Sequence, residues 1–130
     1  MKNANQNQKE VVARASFVRS SPRKLRLMAD MVRKFEPQQA VEYLRVVNKR
    51  AAKPLMLVFE QGIANAKNNF QMSPGNLQIK TLQIEEGPRG PKRLDKSHSA
   101  RFDRGVKRKK ISHILLRLVE KEGVSNGAKS

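Results

Sequence analysis

The sequence contains no cysteine and no tryptophan, and only 5% of its 130 residues are aromatic. The absence of cysteine excludes disulfides and thiolate metal sites. The longest uninterrupted apolar run, Leu55–Phe59, spans five residues, whereas a membrane-spanning helix needs about 20. Residues 1–8 are polar and resemble neither a secretory signal nor an Arg-rich presequence. We therefore expect a soluble intracellular protein without membrane insertion.

Acidic residues are also scarce, with 11 Asp and Glu against 28 Lys and Arg, for a net charge of +17. Most of this charge lies in two basic segments. Residues 9–34 carry eight cations and two acids, a net +6, and residues 88–110 carry ten cations and two acids, a net +8. A nearly neutral body with two strongly basic segments indicates a polyanionic partner, and nucleic acid is the leading class.

The first half of the chain predicts one strand and three helices. Val11–Val18 is β-branched at both ends and predicts a strand. Ser20-Ser21-Pro22 predicts a helix that begins with a serine cap and runs to about residue 34. Glu36-Pro37 predicts a second helix, and Asn48 a cap for a third helix that ends near residue 69, with Pro54 disturbing its first turn. The predicted buried stripe of the first helix consists of Leu25, Met28, Val32 and Phe35.

The second half predicts two strands, Leu77–Glu86 and Ile111–Glu120, on either side of the second basic segment. Alternation in the first of these slips near Thr81, which predicts a β-bulge. The insert between the strands has too few apolar residues to pack against a body, so we expect a hairpin that needs a surrounding partner. The predicted fold class is α+β: three helices packed on a small three-stranded antiparallel sheet, with a long extended basic β-hairpin.

The predicted domain organisation is a single α+β domain over residues 9–121, which includes the extended hairpin at 87–110. Residues 1–8 and 122–130 are predicted to be disordered tails because they are short, polar and terminal.

Four short motifs, in this order and at these spacings, resemble the large-subunit ribosomal protein family numbered twenty-two in bacteria. They are Ser21-Pro22-Arg23-Lys24, Ala64-Asn65-Ala66-x-Asn68-Asn69, Glu86-Gly87-Pro88 and Ser112-His113-Ile114. The resemblance covers roughly residues 11–120. Each motif is short, and it is their shared order that makes the resemblance specific.

The resemblance implies a non-enzymatic structural protein of the large ribosomal subunit. It implies contact with large-subunit ribosomal RNA and with neighbouring ribosomal proteins, and support of subunit assembly. It also implies that the hairpin tip lies in the wall of the nascent-peptide exit tunnel and meets the nascent polypeptide transiently. The expected location is the ribosome in the cytoplasm, with an organellar ribosome as the alternative. No cofactor, metal or homo-oligomer is expected.

The candidate RNA-binding residues are mostly cations of the two basic segments, because phosphate contacts supply affinity. They are Arg14, Arg19, Ser21, Arg23, Lys24, Arg26, Asn65, Asn68, Arg89, Lys92, Arg93, Lys96, Arg101, Arg104, Lys107, Arg108, Lys109 and Lys110. The predicted tunnel-facing tip comprises Leu94, Asp95, Lys96, Ser97, His98, Ser99 and Ala100. This tip departs from the Arg/Pro/Gly/Ala-rich tips usual in the family.

Several alternatives remain at this stage. The protein is either ribosomal or an architectural nucleic-acid-binding protein that uses its basic β-arm on DNA. Asn65 and Asn68 either contact RNA or simply end the third helix. His113 is predicted to be structural and Phe70 to belong to the core. Enzymatic activity is not expected, because Gly87–Pro91 lacks the Gly-Lys-Ser/Thr of a phosphate-binding loop and no catalytic constellation is present.

Overall fold

A computed structural model of the chain describes residues 9–94 and 106–121. The predicted tails, 1–8 and 122–130, lie outside the described residues. The strands are β1 (Glu10–Val18), β2 (Leu77–Glu86), β3 (Arg93–Leu94), β4 (Val106–Lys107) and β5 (Ser112–Glu120). The helices are α1 (Pro22–Val32), α2 (Pro37–Val46) and α3 (Ala52–Asn69). The predicted α+β class, with three helices and a three-stranded antiparallel sheet, is confirmed.

The sheet has the order β1-β5-β2, and both pairings are antiparallel. The last strand in the chain therefore occupies the centre of the sheet. The register shifts between Ile79 and Thr81, which confirms the predicted bulge in β2. A second shift, between Ala15 and Val18 in β1, was not expected from the sequence.

The helices cover one face of this sheet. On that face β5 contributes Ile114, Leu116 and Leu118, all fully buried. The predicted stripe of α1 is confirmed at Leu25, Met28 and Val32, and Phe35 packs against the core partly buried. At Gly62, α3 passes so close to β5 that an added Cβ would lie 3.1 Å from Leu118 Cδ1 and 3.2 Å from Leu116 Cδ2.

The predictions for Asn48 and Phe70 need correction, and the prediction for Ser21 holds for its position only. Asn48 does not cap α3, because a turn in which the Ala52 N–H donates to the Lys49 carbonyl (3.1 Å) comes first and leaves Ala51 at the N-cap. Ser21 is the N-cap of α1, as predicted, but its side chain makes no capping hydrogen bond. Phe70 is not a core residue: it follows the last residue of α3 and is 40% exposed.

The two described arms of the insert run antiparallel to each other. The Gly87 N–H donates to the Ile111 carbonyl at 2.7 Å, and the Gly90 N–H donates to the Lys109 carbonyl at 2.9 Å. Further out, β3 pairs with β4. This arrangement is consistent with the predicted long hairpin, whose tip lies outside the described residues.

Candidate nucleic-acid interface

The start of α1 lies beside the root of the insert, which is the part of its two arms next to the sheet (residues 87–89 and 110–111). The two basic segments are thereby brought together. Arg23 and Arg26 from the first segment, and Arg89 and Lys110 from the second, line one cleft of about 80 Å³. Residues 63 or more positions apart in the chain thus present their cations to the same space. The cleft is completed by Ser21, Pro22, Glu86, Gly87 and Ile111.

The N-terminus of α1 adds its own positive potential to the cleft. The first turn of α1 contains no acidic residue, and Ser21 leaves the first backbone N–H groups without a side-chain cap. Such N–H groups carry the positive end of the helix dipole and bind anions such as phosphate. Arg23 and Lys24 are exposed in this same turn, so an external anion here would also offset the cost of placing cations at a helix N-terminus.

Gly87 allows the chain to leave the sheet beside β5. A Cβ at this position would lie 3.0 Å from the Ile111 carbonyl oxygen and 3.2 Å from His113 Nε2. Because one of these neighbours is backbone, a larger residue would push the two arms apart at their root. The glycine therefore sets the position of Arg89 relative to Lys110 across the cleft.

Two predicted RNA-binding residues also hold the fold together. The Arg26 Nη2 donates to the Ile84 carbonyl at 3.1 Å, on the edge strand β2. The Asn65 Nδ2 donates to the Val12 carbonyl at 3.5 Å and joins α3 to β1. A guanidinium has five N–H donors, so Arg26 is anchored by one nitrogen and keeps others available for an anion.

The remaining candidates divide by location. Arg14 and Arg19 are exposed on β1 and just after it, Asn68 is exposed in the last turn of α3, and both arms of the insert expose their cations. The exposed arm cations are Arg89, Lys92, Arg93, Arg108, Lys109 and Lys110. Leu94 lies in β3 and Lys107 lies in β4, and the two strands pair through their backbones. Lys96, Arg101, Arg104 and the predicted tip residues Asp95, Ser97, His98, Ser99 and Ala100 lie outside the described residues.

Two cations that the sequence analysis missed lie beside Arg19. Arg50 and Lys53, at the start of α3, line a groove of about 350 Å³ together with Arg19 and the apolar side chains of Pro54 and Leu57. The sequence carried a usable signal, because α3 begins much as α1 does: Lys53 and Pro54 lie in its first turn, and Arg50 lies just before its N-cap. The basic surface thus extends from the cleft to the start of α3.

His113 has the structural role predicted for it. Its Nδ1 accepts a hydrogen bond of 3.0 Å from the Phe17 N–H, and the two rings meet edge to face with centroids 5.0 Å apart. An Nδ1 that accepts requires the tautomer that carries its proton on Nε2. His113 therefore fixes the irregular end of β1, next to the root of the insert.

A glutamate with two basic partners lies at the opposite end of β1. Glu10 forms ion pairs with Lys80 on β2 and, at 3.8 Å, with Arg117 on β5, so one carboxylate joins all three strands of the sheet. The hydrogen bond from Lys80 lowers the pKa of Glu10, and the positive charges of Lys80 and Arg117 act in the same direction, against the opposing effect of burial. This site stabilises the sheet and takes no part in the cleft.

Neither a membrane span nor a metal site is found in the described part of the chain. No helix within residues 9–94 and 106–121 combines the length and apolar character needed to cross a bilayer. Within the same ranges, no three His, Asp or Glu side chains converge on a point where a metal ion could bind.

Comparison with known proteins identifies the family. The sequence matches the family described as Ribosomal protein L22p/L17e over residues 13–119. The chain belongs to this family. L22p/L17e proteins are structural components of the ribosome, so the expectations of a non-enzymatic protein of the large subunit, located in the ribosome in the cytoplasm, are confirmed.

Curated relatives cover most of the chain. A protein named Large ribosomal subunit protein uL22 from Rubrobacter xylanophilus is 40% identical over 117 residues, 87% of each chain. The protein of the same name from Thermus thermophilus is 39% identical over 114 residues, 88% of this chain and 98% of the relative. That from Mycoplasma capricolum is 35% identical over 107 residues, 82% of this chain and 94% of the relative. Each of these alignments with an L22p/L17e relative covers more than four fifths of this chain.

Proposed function

We propose that this protein binds large-subunit ribosomal RNA through the cleft between α1 and the root of the insert, and through the two basic arms that leave that cleft. The observation that carries this proposal is the meeting of Arg23 and Arg26 with Arg89 and Lys110 in one cleft. Cations from two distant segments repel one another, and RNA phosphates placed between them would offset that repulsion.

In this proposal, residues 9–121 act as a single RNA-binding domain in which the body and the insert have different tasks. The body docks through the start of α1, where backbone N–H groups and arginines together bind phosphate. The arms extend the contact along the RNA, and each exposed cation replaces a condensed counterion on a phosphate. These contacts position the protein on the RNA without reading its bases.

The tip and the neighbours of the protein complete the proposal. The insert leaves the body as a pair of antiparallel arms, which supports a tip at residues 94–100 that reaches the wall of the nascent-peptide exit tunnel. There it would meet the nascent polypeptide transiently. The body contacts neighbouring ribosomal proteins and acts as a single copy, and its binding supports assembly of the subunit.

The affinity for large-subunit ribosomal RNA as a function of salt concentration tests this proposal. Each lost phosphate contact reduces the slope of log K against log salt by about 0.7 to 0.9. We expect Arg23→Ala and Arg89→Ala each to lower affinity and to reduce the slope by about one such step. Arg45→Ala is the matched control, because Arg45 is exposed outside the cleft and pairs with Glu60 at 3.6 Å.

A competition experiment with duplex DNA distinguishes the DNA alternative. Excess duplex DNA should displace little of the protein from ribosomal RNA if the cleft and arms fit RNA shape, whereas equal competition by DNA would favour an architectural role on DNA. Equal effects of Arg23→Ala, Arg89→Ala and Arg45→Ala would show that the cleft is no special site and would overturn the proposal.

A further inference from the structure

Phe17 has a backbone conformation that a bulky residue rarely adopts. Its φ is 57°, in the left-handed region that normally favours glycine. It lies where the register of β1 shifts, so that Ser16 and Phe17 together occupy the space opposite one residue of β5. A residue held in such a conformation persists only where its surroundings impose it, and such positions concentrate at functional sites.

His113 imposes this conformation from β5. The unpaired Phe17 N–H of the bulge donates to His113 Nδ1 at 3.0 Å, and the two rings lie nearly perpendicular, with an interplanar angle of 87°. Although it is held at two points, the Phe17 residue remains 63% exposed. The bulge therefore presents a fixed aromatic ring to the outside rather than to the core.

The side chains beside this ring include one suited to the phosphate of a nucleotide and one suited to its base. Phe17 lines a pocket of about 320 Å³, which is within the size range of small-molecule sites. Arg14 supplies a cation for phosphate, and Glu85 supplies a carboxylate that accepts from an exocyclic amino group of a base. Ser16, His113, Ile114 and Leu115 form the rest of the lining.

We propose that Phe17 is a stacking platform for an unpaired base of the RNA, with the phosphate of that nucleotide held by Arg14. This inference rests on the RNA binding proposed above and adds a contact to a base where the cleft supplies contacts to phosphates. Aromatic side chains are a common surface for splayed-out bases in single-stranded RNA. Because Phe17 lies in the basic segment 9–34, RNA phosphates are already drawn to its surroundings.

The absence of tryptophan from the chain makes a direct test possible. Phe17→Trp introduces a single tryptophan on the platform, and a base that stacks on it is expected to quench its fluorescence when large-subunit ribosomal RNA is added. Val46→Trp is the matched control, because Val46 is 84% exposed on α2 and lies outside the pocket. Its fluorescence should stay nearly constant in the same titration.

Affinity supplies a second readout that does not depend on the tryptophan. Phe17→Leu keeps an apolar side chain but removes the ring, and we expect it to weaken RNA binding about 5- to 150-fold, the range of one base–aromatic stack. Phe17→Tyr keeps the ring and should retain the affinity. All these variants preserve the Phe17 N–H that His113 holds, so the bulge should persist.

The outcomes separate this inference from the proposed function. If the unaltered protein binds the RNA but the tryptophan at position 17 is not quenched, or if Phe17→Leu binds as tightly as the unaltered protein, then Phe17 is no platform and only the inference fails. If the unaltered protein does not bind the RNA, the proposed function fails and the inference with it.

Discussion

At the scale of single residues, Gly62 determines how closely α3 approaches the sheet. The space for a side chain at this position is already occupied by the ends of Leu116 and Leu118. These side-chain ends can move by tenths of an ångström, so a methyl group is tolerable there while a larger group is not. The cost of substitution at Gly62 should therefore rise steeply with the size of the new side chain.

Gly62→Leu should lower the free energy of unfolding by about 1–3 kcal/mol, because overpacking forces α3 and β5 apart. Urea denaturation followed by circular dichroism measures this change. The control is Ala64→Leu, two residues further along the same helix and exposed, which should change stability by no more than about 0.5 kcal/mol. Similar losses in both variants would contradict the close contact.

Glu10 links sheet stability to pH. Since its pKa is lowered in the folded state, chiefly by the hydrogen bond from Lys80, its stabilising contribution is present above the ordinary glutamate pKa of about 4.3 and is lost as the pH falls through the lowered value. Glu10→Gln should therefore be less stable than the unaltered protein at pH 7, and this difference should shrink in acid.

Urea denaturation at pH 7 and pH 3 checks the Glu10 prediction. Glu42→Gln, a change of the same chemistry on an exposed position of α2, is the control and should show a much smaller pH-dependent difference. A stability difference for Glu10→Gln that stays constant between the two pH values would refute the linkage.

At the scale of elements, the insert has ladder hydrogen bonds but little apolar cover. The described arm side chains at 88, 89, 91–93 and 108–110 are exposed, and a bare two-stranded hairpin is at best marginally stable in water. The Gly87–Ile111 bond lies next to the packed end of β5, whereas the Gly90–Lys109 bond lies further out. Local opening should therefore begin at the outer bond.

Hydrogen exchange of the free protein should show the Gly90 amide exchanging faster than the Gly87 amide, and both faster than the amide of Leu116 in the central strand. Addition of large-subunit ribosomal RNA should slow exchange at Gly90 most, since the RNA would supply the cover that the arms lack. Protection of Gly90 equal to that of Leu116 in the absence of RNA would show that the arms need no partner.

The elements that could be predicted from the sequence are those with local signals. Prolines at 22 and 37 marked the starts of α1 and α2, and the slip in alternation near Thr81 revealed the bulge in β2. The bulge at Phe17 could not be predicted, because the residues around it contain neither glycine nor a break in pattern, and its support comes from His113, far away in the chain.

The candidate site was predicted in composition but not in arrangement. Charge counts identified both basic segments, yet the cleft depends on the non-local placement of β5 at the centre of the sheet, which returns Lys110 and Ile111 to the start of α1. The double use of Arg26, as an anchor on Ile84 and as a candidate phosphate ligand, is equally invisible in a sequence. Burial and hydrogen bonding of a surface arginine emerge only from tertiary packing.

At the scale of the whole molecule, the body and the insert should be separable in folding but not in function. The Gly87 N–H and the Ile111 carbonyl are 2.7 Å apart in donor–acceptor distance, so a short turn can join β2 to β5 when residues 88–110 are removed. We expect such a variant to retain a cooperative thermal unfolding transition and to lose most of its incorporation into large subunits.

Circular dichroism and sucrose-gradient sedimentation measure these two properties of the shortened protein. A variant of full length with Arg45→Ala serves as the control for incorporation, because it changes charge outside the cleft and arms. Normal sedimentation of the shortened variant with large subunits would show that the insert is dispensable for assembly.

The attachment of the insert has a mechanical consequence. Its two arms continue β2 and β5, which are paired along their length from Leu77 with Glu120 to Glu86 with Ser112. A pull on one arm along its axis would act parallel to the strands, so the bonds of that ladder would share the force in shear rather than unzip one after another. Tension on the insert would thus be transmitted to the central strand of the sheet, and the body would move together with the insert as a rigid unit.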